Sequence, residues 1–210
     1  MIIIVFIVWL PLQIVILFYK QLLRFVKKPV PELKTNSFSG VSVMILNWNG
    51  DKFLKRNLSA SLSLMQKYCK TNWEILVVDN GSEDGSVKYL ESVKHKNFKL
   101  VKLDKNYFFS GGNNRGLNKC KYSHVLMMNN DVLPKGDFIT PLIEAFKKDK
   151  KTFAVAGQLF FPGGKVRLES GHTQMIFEKK IFLGHNLNEP NFFSTVAWPG
   201  GGFTLFDKSK

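Results

Sequence analysis

Three times between residues 41 and 134, a short apolar run breaks off into amides and a carboxylate, and a helical period then begins. VSVMIL at 41–46 gives way to Asn47-Trp48-Asn49-Gly50, after which Leu54, Leu58, Leu62 and Met65 recur at helical spacing. WEILVV at 73–78 gives way to Asp79-Asn80-Gly81-Ser82, followed by Val87, Leu90 and Val93 on one helical face. HVLMM at 124–128 gives way to Asn129-Asn130-Asp131, followed by Phe138, Leu142, Ala145 and Phe146. Apolar runs this short, bounded by turn residues, predict buried strands. Strands alternating with helices predict a mostly parallel sheet with right-handed crossovers. The two Asn-Gly pairs would suit hairpins, but a helical period follows each of them, not a second strand. Residues 129–131 would also suit a plain turn. In a parallel sheet, loops at the carboxyl edge converge on one crevice.

The remaining segments extend this pattern. KLVKL at 99–103 reads as a strand, and a loop from Asn106 to Asn114 opens a short helix to about Tyr122. FAVA at 153–156 reads as another strand. After Gly157, short turn-bounded segments at 159–161, 165–168, 175–177 and 192–198 look like antiparallel strands added to the sheet. The fold class expected is therefore α/β.

Residues 1–19 carry no charged side chain, close to the roughly 20 apolar residues that span a bilayer. Apolar character continues to Val26, with Pro11 as a tolerated kink. A cleaved signal peptide would want a basic start and a small-residue cleavage site, and neither is present. Residues 1–26 are expected to be a single transmembrane anchor, 27–40 a linker, and 41–210 one domain. The basic residues follow the span, so the positive-inside rule sets the domain on the cytoplasmic side of the cell membrane. A kinked hairpin that re-enters on the same side would leave the domain in the same compartment.

The net charge of +14 is dispersed along the chain and suits anionic partners in general. No arginine-rich or aromatic-basic cluster of the kind RNA modules use stands out, so nucleic acid is not an expected partner. The run Lys147-Lys148-Asp149-Lys150-Lys151 suits a helix end, where cations complement the dipole. Cys69 and Cys120 form no CxxC and have no His-rich companion, which excludes a disulfide framework and a zinc site of that type.

The chemistry of the crevice follows from its residue types. A buried carboxylate such as Asp79 can accept from a pyrimidine N3–H. A carboxylate flanked by neutral oxygen donors, Asp131 beside Asn129 and Asn130, suits a hard divalent cation that also grips a diphosphate. Gly111 and Gly112 carry no Cβ, so backbone amides in the 107–116 loop can approach a ligand closely. The loop is neither a Walker A loop nor a dinucleotide fingerprint.

VSVMILNWNG, ILVVDNGSEDGSVKYL, NYFFSGGNNRGLNKCKY and VLMMNNDVLP, in this order over 41–134, resemble family 2 glycosyltransferases of the GT-A fold. The likeness is to the subgroup that includes many bacterial rhamnosyltransferases. Looser segments at 155–157, 169–171 and 200–203 carry it to about Asp207. The resemblance implies a Rossmann-like half that binds a UDP- or dTDP-sugar, with added antiparallel strands. Asp79 matches the carboxylate that reads the base, with Asn80 beside it, and Asn47 and Asn49 match the first donor loop. Asn106, Gly112 and Asn114 match the loop beside the ribose and sugar. Asn129-Asn130-Asp131 matches the DXD-type motif, with Asp131 and Asn129 on Mg2+ or Mn2+ and Asn130 counted with the donor contacts. One carboxylate where two are usual should weaken the metal.

Sugar transfer with inversion to a glycan or lipid-linked acceptor is the reaction implied. It needs a base near the acceptor hydroxyl. The family carries that base in a Glu-Asp pair downstream of the Gly-rich strand, which here is expected beyond Lys210. Glu178, Glu189 and Asp207 form no such pair, and His172 and His185 are candidates by elimination. The alternatives are a catalytically silent nucleotide-sugar-binding module, a truncated gene product, and a base supplied by another chain. A nucleotidyltransferase would want a basic Gly-rich loop after the first strand, which 47–50 lacks.

Overall fold

The computed structural model describes residues 38–149, 151–164, 172–177, 181–186 and 199–210. The expected transmembrane segment, most of the linker, and the expected strands at 165–168 and 192–198 lie outside the described residues. Among those residues, no helix is long and apolar enough to cross a membrane.

The elements run β1 (Val41–Asn47), α1 (Asp51–Tyr68), β2 (Trp73–Asp79), α2 (Ser86–Ser92), β3 (Phe98–Lys102), α3 (Phe108–Leu117), β4 (His124–Asn129), α4 (Thr140–Lys148), β5 (Ala154–Ala156), β6 (His172–Phe177), β7 (Ile181–Asn186) and β8 (Phe203–Asp207). Six strands form one sheet in the order β3-β2-β1-β4-β8-β5. The first four are mutually parallel, as the strand–helix alternation predicts. β8 enters antiparallel between β4 and β5, so β5 runs parallel to β4. β6 and β7 pair antiparallel in a separate two-stranded sheet.

Side chains alternate across a strand, and each face of the sheet has its own core. Val41, Val43 and Ile45 of β1 meet Leu54, Leu58 and Met65 of α1 and Ile143 and Phe146 of α4 on one face. Met44 packs with Leu76, Val78 and Cys120 on the other face, the side of α3. Burying each such side chain contributes about 1.5–3 kcal/mol before entropy is counted. Both cysteines are free and buried, and burial pushes the Cys120 thiol up to about 12.

Three expectations change. The segment at 175–177, expected as a strand added to the main sheet, lies in β6 and pairs with β7 apart from that sheet. α3 begins at Phe108, so the Gly-Gly-Asn-Asn stretch read as a loop is helical. A Cβ on Gly112 would sit 2.7 Å from Leu46 Cδ1, and one on Gly116 would sit 2.6 Å from Val78 Cγ2. These glycines, one turn apart, let the helix lie against the sheet, and that contact orders a segment of poor helix propensity. Phe203–Asp207 is a sheet strand that the sequence reading did not mark. Four of its five residues are buried, so it lacks the alternation that marks a half-exposed strand.

Candidate functional site at the carboxyl edge

β2, β1 and β4 are parallel neighbours, so their last residues line one edge. Register pairs Asp79 with Asn47, and Asn129 with Leu46. At about 4.8 Å between strands, the ends of β2 and β4 stand about 10 Å apart.

Polar side chains bond to one another along this edge. Asn47 Nδ2 donates to Asp79 Oδ1 at 3.0 Å and to Ser82 Oγ at 3.2 Å. Asn47 Oδ1 accepts from Asn130 Nδ2 at 2.9 Å. The Ser82 amide donates to Asp79 Oδ2 at 3.0 Å, and Ser82 Oγ accepts from the Asn49 amide at 2.9 Å. Asn49 Oδ1 accepts from the Glu83 amide at 2.8 Å. Asn47 and Asp79 are only 0% and 1% exposed. A carboxylate buried without donors would cost several kcal/mol, so an amide at position 47 is a physical requirement of Asp79. Gly50 completes the arrangement, because a Cβ there would collide with Asn130 Nδ2 and Asn47 Oδ1.

A second bracket holds the start of α3. Asn80 Nδ2 donates to Asn106 Oδ1 at 2.8 Å and to the Phe108 carbonyl at 3.2 Å. Asn80 Oδ1 accepts from the Tyr107 amide at 2.9 Å, and Asn106 Oδ1 accepts from the Phe108 amide at 2.7 Å. Asn49 and Phe108 both have positive φ, 50° and 57°. Asparagine tolerates that region, whereas a bulky aromatic rarely enters it.

The expected site residues thus divide. Asn47, Asp79, Asn80 and Gly112 are buried among protein groups, and the glycine's missing Cβ faces Leu46 and Asn80 instead of open solvent. Asn106 and Asn130 are partly buried and hydrogen-bonded within the loops. Asn49, Asn114, Asn129 and Asp131 are exposed. Ser82, Asn57 and Asp84 were not singled out from the sequence. Asn57 Nδ2 donates to the Asn130 carbonyl at 2.9 Å, tying α1 to the β4 turn. Asn57 lies on the apolar stripe beside Leu54 and Leu58, and a polar residue there needs a partner, which was a readable signal. Asp84 accepts from the amides of Asp51 and Ser86 at 3.0 and 2.9 Å, joining the starts of α1 and α2. Desolvation raises the Asp84 pKa, but bonds from Ser86 and Asp51 outweigh it and hold the carboxyl below its ordinary value.

The donor set can be tested for a cation. Among the described residues, no three His, Cys, Asp or Glu side chains gather. Asp131 is exposed, and its carboxylate makes no hydrogen bond or ion pair with another described residue. Asn129 is exposed two residues away, while the Asn130 amide nitrogen is held by Asn47. One open carboxylate with one amide oxygen fits a hard cation whose remaining ligands come from a diphosphate and water.

The candidates for the acceptor's base also divide. Asp207 is buried at the opposite edge of the sheet, opposite His124, which removes it from this crevice. His172 and His185 lie on β6 and β7, whose register sets Thr173 against His185. Glu178 and Glu189 lie outside the described residues. A polar cavity of about 620 Å³ opens at the amino edge instead, lined by Trp73, Glu74, Asn97, Lys99, Lys121 and Tyr122. None of the strand-end residues described above lines it.

The family model described as Glycosyl transferase family 2 matches residues 42–207. Over 196 residues the chain is 26% identical to a Staphylococcus aureus (strain COL) poly-beta-1,6-N-acetyl-D-glucosamine synthase, covering 91% of this chain and 45% of that protein. The chain thus spans about half the length of the curated relatives it matches. The S. aureus TarS 1-349 structure in complex with UDP-GlcNAc aligns with TM-score 0.51 and 22% identity, over 64% of this chain and 39% of that one. GalNAc-T7 with UDP, GalNAc and Mn2+ aligns with TM-score 0.60 and 14% identity, over 83% and 36%. At such identities these GT-A-like neighbours speak for the fold.

Proposed function

Because the chain belongs to glycosyl transferase family 2, we propose that it binds a nucleotide sugar along the carboxyl edge of its sheet and serves sugar transfer to a glycan or lipid-linked acceptor. The observation that carries this reading is the register that brings Asp79, Asn47 and residues 129–131 to one edge. The base end of the donor lies by β2 and the diphosphate end by β4. The relative named for poly-beta-1,6-N-acetyl-D-glucosamine and the neighbour solved with UDP-GlcNAc make UDP-N-acetylglucosamine the first donor to try, with other UDP- and dTDP-sugars beside it.

Asp79 reads the base under a condition. A carboxylate has about four lone-pair sites, and Asn47 and Ser82 use two of them. Accepting a base N–H at so buried a position draws Asp79 partly clear of its clamp, and the Ser82 amide reports that movement. Asp131 and Asn129 would hold Mg2+ or Mn2+ where the diphosphate lies. Bound there, the cation would offset the negative charge that develops on the leaving diphosphate. The acceptor hydroxyl attacks the anomeric carbon with inversion, and its proton passes to a base within about 3 Å. Residues 1–26 anchor the domain to the cytoplasmic side of the cell membrane, which raises the local concentration of a lipid-borne acceptor.

Calorimetric titration of the full chain with UDP-N-acetylglucosamine, with and without Mn2+, tests the reading. Saturable binding is expected, strengthened by Mn2+ in the wild type but not in Asp131→Ala. No binding of any UDP- or dTDP-sugar, with metal present, would refute it. Assaying sugar release in parallel separates a working transferase from a silent binding module.

A further inference from the structure

We propose that Phe108 is a stacking platform for a ring of the bound nucleotide sugar, held out at the carboxyl edge by the Asn80–Asn106 bracket. The inference rests on the reading that a nucleotide sugar binds at this edge.

Phe108 combines two features that packing does not explain. Its φ of +57° lies in the left-handed region, where a Cβ is unfavourable and glycine is the ordinary occupant. Its side chain is 80% exposed, the highest among the described large apolar residues. It joins neither core cluster, and its ring faces no aromatic partner among the described residues. Yet its amide is fixed by Asn106 Oδ1 and its carbonyl by Asn80 Nδ2, with Asn80 itself only 2% exposed. Strained backbone persists where surroundings over-determine it, and such residues cluster at ligand sites. The bracket forces the strained turn on a residue whose ring then meets solvent.

The position agrees. Of the exposed large apolar side chains among the described residues, only Phe153 lies at the amino edge. A phenyl face suits either the π-face of a nucleobase or the C–H face of a pyranose, and both are present in one donor. Ring stacking of this kind contributes about three- to tenfold in affinity.

Two full-chain variants, Phe108→Gly and Phe108→Leu, test the platform by thermal unfolding and by titration with UDP and with UDP-N-acetylglucosamine, both with Mn2+. Phe108→Gly should melt higher than the wild type, because it relieves the left-handed strain, and should bind about three- to tenfold more weakly. Phe108→Leu should melt near the wild type and bind equally weakly. Equal weakening for UDP and the UDP-sugar assigns the stacked ring to the base. Weakening confined to the UDP-sugar assigns it to the pyranose. Wild-type affinity for both ligands in Phe108→Gly would overturn the platform, and a lower melting temperature in that variant would overturn the strain argument. A wild-type protein that binds neither ligand is a different failure, of the donor reading itself.

Discussion

At the carboxyl edge of the sheet, buried polar groups bond mainly to one another. Asp79, Asn47, Ser82 and Asn130 form one chain across three strand ends. At the amino edge the polar contacts converge on one glutamate. Ser42 Oγ donates to Glu74 Oε1 at 2.6 Å, and the Lys121 amide donates to the same oxygen at 2.6 Å. There, His124 Nε2 sits 3.9 Å from Asp207 Oδ2, and its ring meets Phe38 at a tilt and Phe146 edge-on. A polar cavity of about 620 Å³ opens on this second side. What sets the carboxyl edge apart is a network that holds a buried carboxylate, several amides and the backbone of Phe108 in fixed places. Pre-positioned groups count for more than room in a site that must orient a charged ligand.

Removing the centre of the network should have the largest effect. Asn47→Leu keeps the branched shape but takes donors from Asp79 Oδ1 and Ser82 Oγ and an acceptor from Asn130. We expect a loss of about 3 kcal/mol in denaturant unfolding, together with nucleotide binding. Gly50→Ala pushes a methyl against the Asn47–Asn130 bond and should cost about 2 kcal/mol, with binding weakened in proportion. Its counterpart at the other edge, Ser42→Ala, should cost about 1 kcal/mol and leave nucleotide affinity unchanged. If Ser42→Ala lowers affinity as much as Gly50→Ala does, the contrast between the edges fails.

The smallest effect concerns pH and belongs to the amino edge. Burial holds the His124 imidazole below its ordinary pKa, with Lys210 acting the same way and Asp207 opposing. The folded protein therefore keeps His124 neutral where the unfolded chain, with a value near 6.5, already takes up a proton. Stability should be unaffected above pH of about 6.5 and should fall as pH drops below it, until the folded-state pKa is passed. Melting curves of the wild type and His124→Gln between pH 5 and 8 should show a steeper decline for the wild type. Parallel curves would remove His124 from the account.

Much of the fold was legible because β1, β2 and β4 are short apolar runs cut off by amides, and a helical period follows each. The parallel order and shared edge came from that rhythm. α3 was not legible, because its Gly-Gly-Asn-Asn stretch becomes helical through contact with Leu46 and Val78 and not through its own propensity. β8 was hidden by burial on both faces and by the glycines that lead into it. At the site, the residue types at the strand ends could be read, but not which of them bond to each other. Asn47 and Asn80 read as donor contacts, and their hold on Asp79 and on the start of α3 was not legible. The left-handed backbone at Phe108 left no mark in the sequence, since a bulky aromatic argues against it.

The most direct test of the carboxyl edge as the donor site is to titrate 15N-labelled full-length protein with UDP-N-acetylglucosamine and Mg2+ and follow backbone amide shifts. The account predicts the largest changes at Asn49, Ser82, Phe108 and Asp131, with Trp73, Asn97 and Tyr122 unmoved. Changes centred on Trp73, Asn97 and Tyr122, with Ser82 and Asp131 silent, would contradict it.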